Sequence, residues 1–380
     1  MNQPTRHAIA AGNVFDGWTR HKDAAVVIEG SLVVGVVPQS ELPLGLQVRK
    51  LPSEVWLAPG FIDVQVNGGG DVLFNNSPTP EAIRAIAAAH RKYGTTALLP
   101  TFITDTSEKM AAAFAAAQSL VPNEPSVLGI HLEGPFLSPE KAGVHDPSLM
   151  REPSPADLEM LCGPRKGTLL MTLAPERVPN GFIAQLVQSG VRVSLGHSMA
   201  TYEQTRTAMA EGLSGFTHLF NAMRPMASRD PGPIPAALES PEAWFGMIVD
   251  GFHVSPAMLR LALRGLARPI LVTDAMPPVG GHRSKFDLYG AEVRVIGGRC
   301  ARSDGTLAGS ALDMAAAVRN CVKMLEVSLE DALQFASRTP AEYIGLGQLL
   351  GGLLPGYRAD VVALDPGTFD VLGTWVAGKE

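Results

Sequence analysis

Glu133 in GIHLEGPF, His197 in SLGHS and His218 in FTHLFNA each stand at or just past a short apolar run. Taken singly, each has an ordinary reading. A carboxylate at a strand–loop junction caps backbone groups, and a lone histidine in an apolar setting is usually a core residue satisfied by a carbonyl. Taken together they form the His₂Glu set that binds a catalytic divalent cation and leaves a coordination position open. Asp274, in LVTDAM, is the fourth residue of interest. An unpaired carboxylate on a buried strand is costly, so it is expected either in a salt bridge or cap, or beside a cation. In the second setting it is suited to act as a general base on an acidified water and then to pass the proton to a leaving amine. His131 lies two residues before Glu133, on the same side of an extended strand. The H-x-E pattern is that of zinc deaminases, but their P-C-x-x-C is absent, so His131 is read as a core or supporting residue. His7, His21, His90 and His282 have no motif around them and are read as surface or loop residues.

The elements that must position these residues alternate along the chain. Apolar runs of strand length occur at 60–67, 96–101, 126–136, 168–176, 191–198, 215–222, 245–253 and 269–276. Helix-period segments between them include 79–93, 107–120, 181–189, 202–211, 255–266 and 311–325, with Thr79, Ser107, Thr201 and Ser255 as N-caps. Eight strand–helix repeats predict a closed parallel barrel rather than an open sheet. Polar residues then fall where a barrel gathers its chemistry, at the C-terminal strand ends: Gln65 and Asn67, Glu133, His197, His218, Asp250 with His253, and Asp274. The expected fold class is α/β, a (β/α)8 TIM-like barrel with a small β-sandwich domain built from both chain termini. Residues 1–58 plus 345–380 read as that small domain and 59–344 as the barrel. Within the latter, the alternation KFDLYGAEVRVIGGRCARSDG suggests a β-hairpin inserted at about 277–309, where an insertion would cover the site.

Composition narrows the partners. The 380 residues are 46% hydrophobic and 18% charged, with a net charge of −6, and no basic patch points to nucleic acid. The cysteines Cys162, Cys300 and Cys321 are odd in number, widely spaced and free of C-x-x-C, which fits a reducing cytoplasm better than a disulfide framework. The N-terminal residues lack the apolar run of a signal peptide, and the Ala-rich stretch at 111–117 is too short to span a bilayer, so no membrane association is expected. A dinucleotide site has no support, since no G-x-G-x-x-G follows the first strand.

Over nearly its whole length the chain resembles the N-acetylglucosamine-6-phosphate deacetylase family of the amidohydrolase superfamily. The motifs are PGFIDVQVNG, HLEGPF, GHS, THLFNAM, DGFH, TDAM, GTLAGSALDM and the closing GLLPGYRADVVALD, in that order. The resemblance implies hydrolysis of N-acetylglucosamine 6-phosphate to glucosamine 6-phosphate and acetate, with Glu133, His197 and His218 as metal ligands and Asp274 as acid/base. It implies a second catalytic role for His145, in GVHDP, as the group polarising the substrate carbonyl. Val144 and His145, Asn221–Ala222, Arg229, Asp250–Gly251–Phe252–His253 and Leu307–Ala308–Gly309 match substrate-contacting segments. Arg229 and His253 match phosphate binders, and a guanidinium fork suits a phosphate. The family's arginine comes from the neighbouring subunit, so a homodimer with Arg229 contributed across the interface is expected. Many amidohydrolases carry H-x-H at the end of the first strand and bind two metals, but here the positions are Gln65 and Asn67. Amides are poor ligands for a zinc-like ion, so one divalent metal per subunit is expected and a second site should be vacant or weak. Zinc is the first expectation, with Fe²⁺, Co²⁺ or Mn²⁺ also compatible with the donor set. Cyclic amidases with two metals use a carboxylated lysine at the fourth strand, and TLAPE offers none.

Overall fold

Runs of Val, Ile, Leu and Phe that are buried on both faces cannot alternate polar residues outward, and they favour parallel sheets covered on each side. Phe61–Val66 and Thr95–Ile103 are buried at every position. In the computed structural model, which describes residues 6–380, such runs form eight parallel strands. They are β1 (Phe61–Val66), β2 (Thr95–Ile103), β3 (Gly129–Glu133), β4 (Thr168–Leu173), β5 (Arg192–Leu195), β6 (Gly215–Phe216), β7 (Trp244–Met247) and β8 (Arg268–Leu271). Each strand pairs with its sequence neighbour in the order β8-β7-β6-β5-β4-β3-β2-β1. Past the last strand, the Asp274 N–H donates to the Gln65 carbonyl and the Asn67 N–H to the Ala275 carbonyl, both at 2.9 Å. These bonds join the ends of β8 and β1, so the sheet is a nearly closed (β/α)8 barrel, as the strand count predicts. Residues 1–5, part of the segment assigned to the small domain, lie outside the described residues.

Helices α1 (Pro80–Arg91), α2 (Ser107–Leu120), α3 (Pro155–Cys162), α4 (Phe182–Gln188), α5 (Tyr202–Ala210), α6 (Pro233–Leu238) and α7 (Pro256–Ala262) lie between the strands. Thr201 caps α5 and forms a capping box with Gln204, and the Thr79 hydroxyl accepts the Ala82 N–H. Thr106, not Ser107, caps α2, accepting the Lys109 N–H with its side chain. Ser255 precedes α7 but its side chain makes no capping bond. That helix also stops at Ala262, four residues short of the expected end, because the Leu266 N–H is taken by the Leu238 carbonyl at 2.7 Å. His90 is fully buried in α1, contrary to its reading as a surface residue. Among the described residues, no helix is long and apolar enough to cross a membrane.

Where alternation suggests a hairpin, three antiparallel strands run: β9 (Lys285–Leu288), β10 (Ala291–Ile296) and β11 (Arg299–Ala301). Leu288, Val293 and Cys300 from this sheet pack with Ile103, Val144, Met276 and Ala308 in one buried cluster.

Backbone contacts divide the chain into two compact units. One contains Met1–Asp63, His90–Leu98 and Asp313–Glu380; the other contains Val64–Ala89 and Leu99–Leu312. In the first, both chain ends share a mixed seven-stranded sheet. Its order is Val371–Trp375, Val361–Leu364, Trp56–Pro59, Arg6–Phe15, Arg20–Glu29 and Leu32–Pro38, with Gln47–Lys50 also pairing to Arg6–Phe15. Alternate residues face two apolar layers. Ile9, Val26, Ile28, Leu57, Val361 and Trp375 build one, and Ala8, Ala10, Ala25 and Val27 the other. The small β-domain therefore takes strands from both termini.

Candidate active site

Every residue of the site lies within the second unit. Glu133 is the last residue of β3, while His197 and His218 each stand two residues beyond β5 and β6. All three are buried. His197 Nε2 lies 3.1 Å from Glu133 Oε1, His218 Nε2 lies 3.0 Å from the same oxygen, and the two Nε2 atoms are 3.2 Å apart. The tautomer of His197 follows from its other nitrogen, which lies 2.7 Å from the Lys141 carbonyl. A carbonyl only accepts, so Nδ1 carries a proton and Nε2 is the ring nitrogen that faces Glu133. Two imidazole nitrogens and a carboxylate oxygen thus converge on one point, an arrangement that fits a divalent cation and is poorly satisfied without one. Among the described residues, this is the group of His, Cys, Asp and Glu whose ligand atoms gather closely enough to hold a metal. Burial acts to raise the Glu133 carboxyl, but the bonds from His197 and His218 prevail and hold it well below the usual carboxylate range. Burial likewise disfavours a charged His218, yet its bond to Glu133 raises it.

The backbone that aims these groups is unusual. His197, His218 and Asp274 have φ of 48°, 34° and 50°, in the left-handed region that non-glycine residues rarely occupy. Beyond Phe216, positive φ at His218, Phe220 and Ala222 breaks the extended chain. This is why β6 is far shorter than the apolar run at 215–222.

Asp274 stands three residues past β8 and is held by amides. Asn67 Nδ2 donates to Asp274 Oδ1 at 2.6 Å, and Gln65 Nε2 approaches both Asp274 Oδ1 and Glu133 Oε2 at 3.3 Å. The two amides at the end of β1 therefore serve as donors to carboxylates. Burial raises the Asp274 carboxyl to about 6, helped by the Glu133 charge and opposed by His218, His253 and the Asn67 bond. A carboxyl poised there can both take and return a proton near neutrality. Gly309 is required behind it: at φ 55°, an added Cβ would meet the Asp274 carbonyl oxygen at 2.6 Å.

His145 is buried, its ring centroid 4.3 Å from that of His197. Burial first, and the neighbouring His197 second, push it well below the usual histidine value, so the ring is neutral. Its Nδ1 lies 2.9 Å from the Thr104 hydroxyl.

These groups line a cavity of about 330 Å³. Of the residues named from sequence, Asn67, Glu133, Val144, His145, His197, His218, Asn221, Ala222, His253, Asp274, Leu307 and Gly309 face it. Gln65 lies behind Asn67 as a buried donor, and Ala308 is buried beneath the lining. Asp250 sits behind His253, taking its Nδ1 at 2.6 Å and the Phe252 and His253 N–H groups at 2.8 and 3.0 Å. Burial alone would raise Asp250, but these bonds lower it. Gly251 and Phe252 are exposed on the same turn. Arg229 is exposed on the loop before α6 and does not line the cavity of its own chain. Sequence reasoning did not single out Glu140, Lys141, Gly143, Thr306, Ile103 and Met276, which also line the space, or Thr104 beneath it. The lysine acts through its backbone carbonyl, for which side-chain type carries no signal.

The model of the amidohydrolase family matches residues 56–380. The chain is 44% identical over 326 residues to an N-acetylgalactosamine-6-phosphate deacetylase of Shewanella sp. (strain ANA-3), covering 85% of this chain and 82% of that one. It is 35% identical over 364 residues to the N-acetylglucosamine-6-phosphate deacetylase of Haemophilus influenzae, covering 94% of each. A solved N-acetylglucosamine-6-phosphate deacetylase from Pasteurella multocida superposes with a TM-score of 0.94 at 35% identity, over 98% of this chain and 99% of that one. A converging His₂Glu cluster at the strand ends of a barrel, in a chain whose relatives at this identity are hydrolases along almost their full length, has one reading: the protein is a metal-dependent hydrolase of the amidohydrolase family.

Proposed function

We propose that the protein hydrolyses the acetamide of N-acetylglucosamine 6-phosphate to glucosamine 6-phosphate and acetate. The observation that carries this reading is the single cavity onto which the ligand cluster, the Asp274 carboxyl and the His145 imidazole all open. The relatives' substrates, amino sugars bearing an N-acetyl group and a 6-phosphate, support the substrate class.

Glu133, His197 and His218 would hold a divalent cation, with zinc the first expectation, and that ion would supply Lewis acidity to acidify a water. Asp274 takes a proton from the attacking water as the new C–O bond forms at the carbonyl carbon. When the C–N bond breaks, the same carboxyl returns that proton to the departing nitrogen, leaving an amine and acetate. Asn67 and Gln65 both engage Oδ1, so Oδ2 is the oxygen available for the proton. His145 offers an N–H to the acetamide oxygen as negative charge develops there. His253, steadied by Asp250, and Arg229 bind the phosphate, with Arg229 contributed by the neighbouring subunit of a homodimer. Val144, Asn221, Ala222, Gly251, Phe252 and Leu307–Gly309 frame the sugar. Three free cysteines, two of them buried, support a cytoplasmic setting.

A second reading changes only the sugar. The 44%-identical relative acts on N-acetylgalactosamine 6-phosphate, which differs in the configuration at C4. Acetate release should be measured from both epimers, with metal quantified per chain in the same preparation. Release from the gluco epimer at the higher kcat/KM supports the first reading, and the reverse order replaces it with the second. No release from either by metal-loaded protein overturns both.

A further inference from the structure

Thr104 stands one residue past β2 and is buried. Its hydroxyl lies 2.9 Å from His145 Nδ1 and 3.4 Å from the Glu133 carbonyl. A hydroxyl has one proton and donates to one of these acceptors at a time. The nitrogen lies within ordinary hydrogen-bond range, whereas the carbonyl is at its edge. Donation to Nδ1 is therefore the stronger of the two bonds open to the hydroxyl. A neutral imidazole that accepts at Nδ1 carries its proton on Nε2. His145 contributes no nitrogen to the Glu133–His197–His218 cluster, so its Nε2 is not needed as a lone pair.

We propose that Thr104 is a positioning residue that fixes His145 as the Nε2–H tautomer, so that the ring presents a donor to the acetamide oxygen. This rests on the reading of His145 as the group that polarises that carbonyl. The opposite arrangement, Nδ1–H donating to Thr104, would leave the hydroxyl proton to the longer contact. It would also turn a lone pair toward the substrate oxygen, which repels it.

The surroundings hold the pair in place. Gly134 has φ 89°, and a Cβ there would lie 2.2 Å from the Thr104 Oγ1, so the glycine admits the hydroxyl. The Tyr289 hydroxyl donates to the Thr104 carbonyl. The Arg302 guanidinium donates to the carbonyl of Val144, the residue before His145, at 3.0 Å. Tyr289 lies between β9 and β10, and Arg302 follows β11 directly. The inserted sheet thus grips the backbone on both sides of the Thr104–His145 bond.

Thr104→Val removes the hydroxyl at nearly constant shape, and Thr104→Ser keeps it. Losing an oriented donor of this kind should lower kcat on the order of 10²-fold in Thr104→Val, with KM within about twofold. Metal per chain should be unchanged, and Thr104→Ser should restore most of the activity. The ¹⁵N spectrum of the metal-loaded protein reads the tautomer directly: His145 should show an unprotonated Nδ1 and a protonated Nε2 in wild type and Thr104→Ser. A protonated Nδ1 in wild type overturns the proposal, even if Thr104→Val does not fold. So does a folded Thr104→Val with wild-type kcat. His145→Ala separates the two levels. If it keeps full kcat, the polarising role fails; if it loses activity while Thr104→Val does not, only the tautomer assignment fails.

Discussion

The bonds to the Asp274 side chain come from Asn67 and Gln65 rather than from the histidines of the metal cluster, and both reach Oδ1, an acceptor that asparagine also carries. Asp274→Asn should therefore leave metal content near one per chain while removing the group that takes the proton. Loss of a general acid–base residue lowers kcat by roughly 10²–10⁴-fold. Metal analysis beside steady-state kinetics checks both halves, and retained turnover would refute the acid–base role. The pH profile belongs to the same residue. The carboxylate is the active form, so kcat/KM should fall as pH drops through the folded value, which burial and then Glu133 place at about 6. A divalent cation nearby favours the carboxylate, so the acid limb of the metal-loaded enzyme should lie at or below that pH. In Asp274→Asn any residual activity should lose that limb.

At the scale of elements, α3 shows how the segment carrying His145 is anchored. Ser154 caps α3 and Asp157 closes the capping box, while the same carboxylate takes two bonds from Arg151, at 2.5 and 2.7 Å. Arg151 also lies over the Phe136 ring. Burial acts to raise Asp157, but Arg151 and Ser154 prevail and lower it. A carboxyl lowered on folding contributes stability that is complete above its unfolded value of 3.8 and is lost as pH falls through the folded one. Asp157→Ala should thus cost about 1–2 kcal/mol at neutral pH, seen as a lower denaturant midpoint. The deficit should shrink in acid, and a deficit that stays constant with pH would show that packing, not the carboxylate, was lost. What the sequence makes legible at this scale follows the same physics. Glu133, His197, His218 and Asp274 could be read because each interrupts or ends an apolar run, and in a barrel all such ends point one way. Thr106 and Ser107 are both competent caps, so one-residue precision was beyond pattern. The lengths of β6 and α7 depend on left-handed residues and on a tertiary bond to Leu238, neither of which leaves a periodic trace. Thr104 and the Lys141 carbonyl act through neighbours brought together only by the fold.

At the scale of the whole molecule, the test falls on Arg229. It is exposed and outside the cavity of its own chain, whereas the proposed function gives it the phosphate. A homodimer in which each subunit lends Arg229 to its partner reconciles the two, and it can be tested by mixing. Arg229→Ala alone should weaken turnover of the phosphorylated sugar far more than that of unphosphorylated N-acetylglucosamine. Asp274→Asn alone should be inactive for want of a base. In a hybrid dimer, the Arg229→Ala subunit keeps its own Asp274 and receives Arg229 from the Asp274→Asn subunit, so one of its two sites is complete. Unfolding and refolding equal amounts of the two variants together gives hybrids in about half of the dimers, so roughly a quarter of wild-type activity should return. If Arg229 served its own chain, every site in every dimer would lack one of the two residues, and mixing would restore nothing.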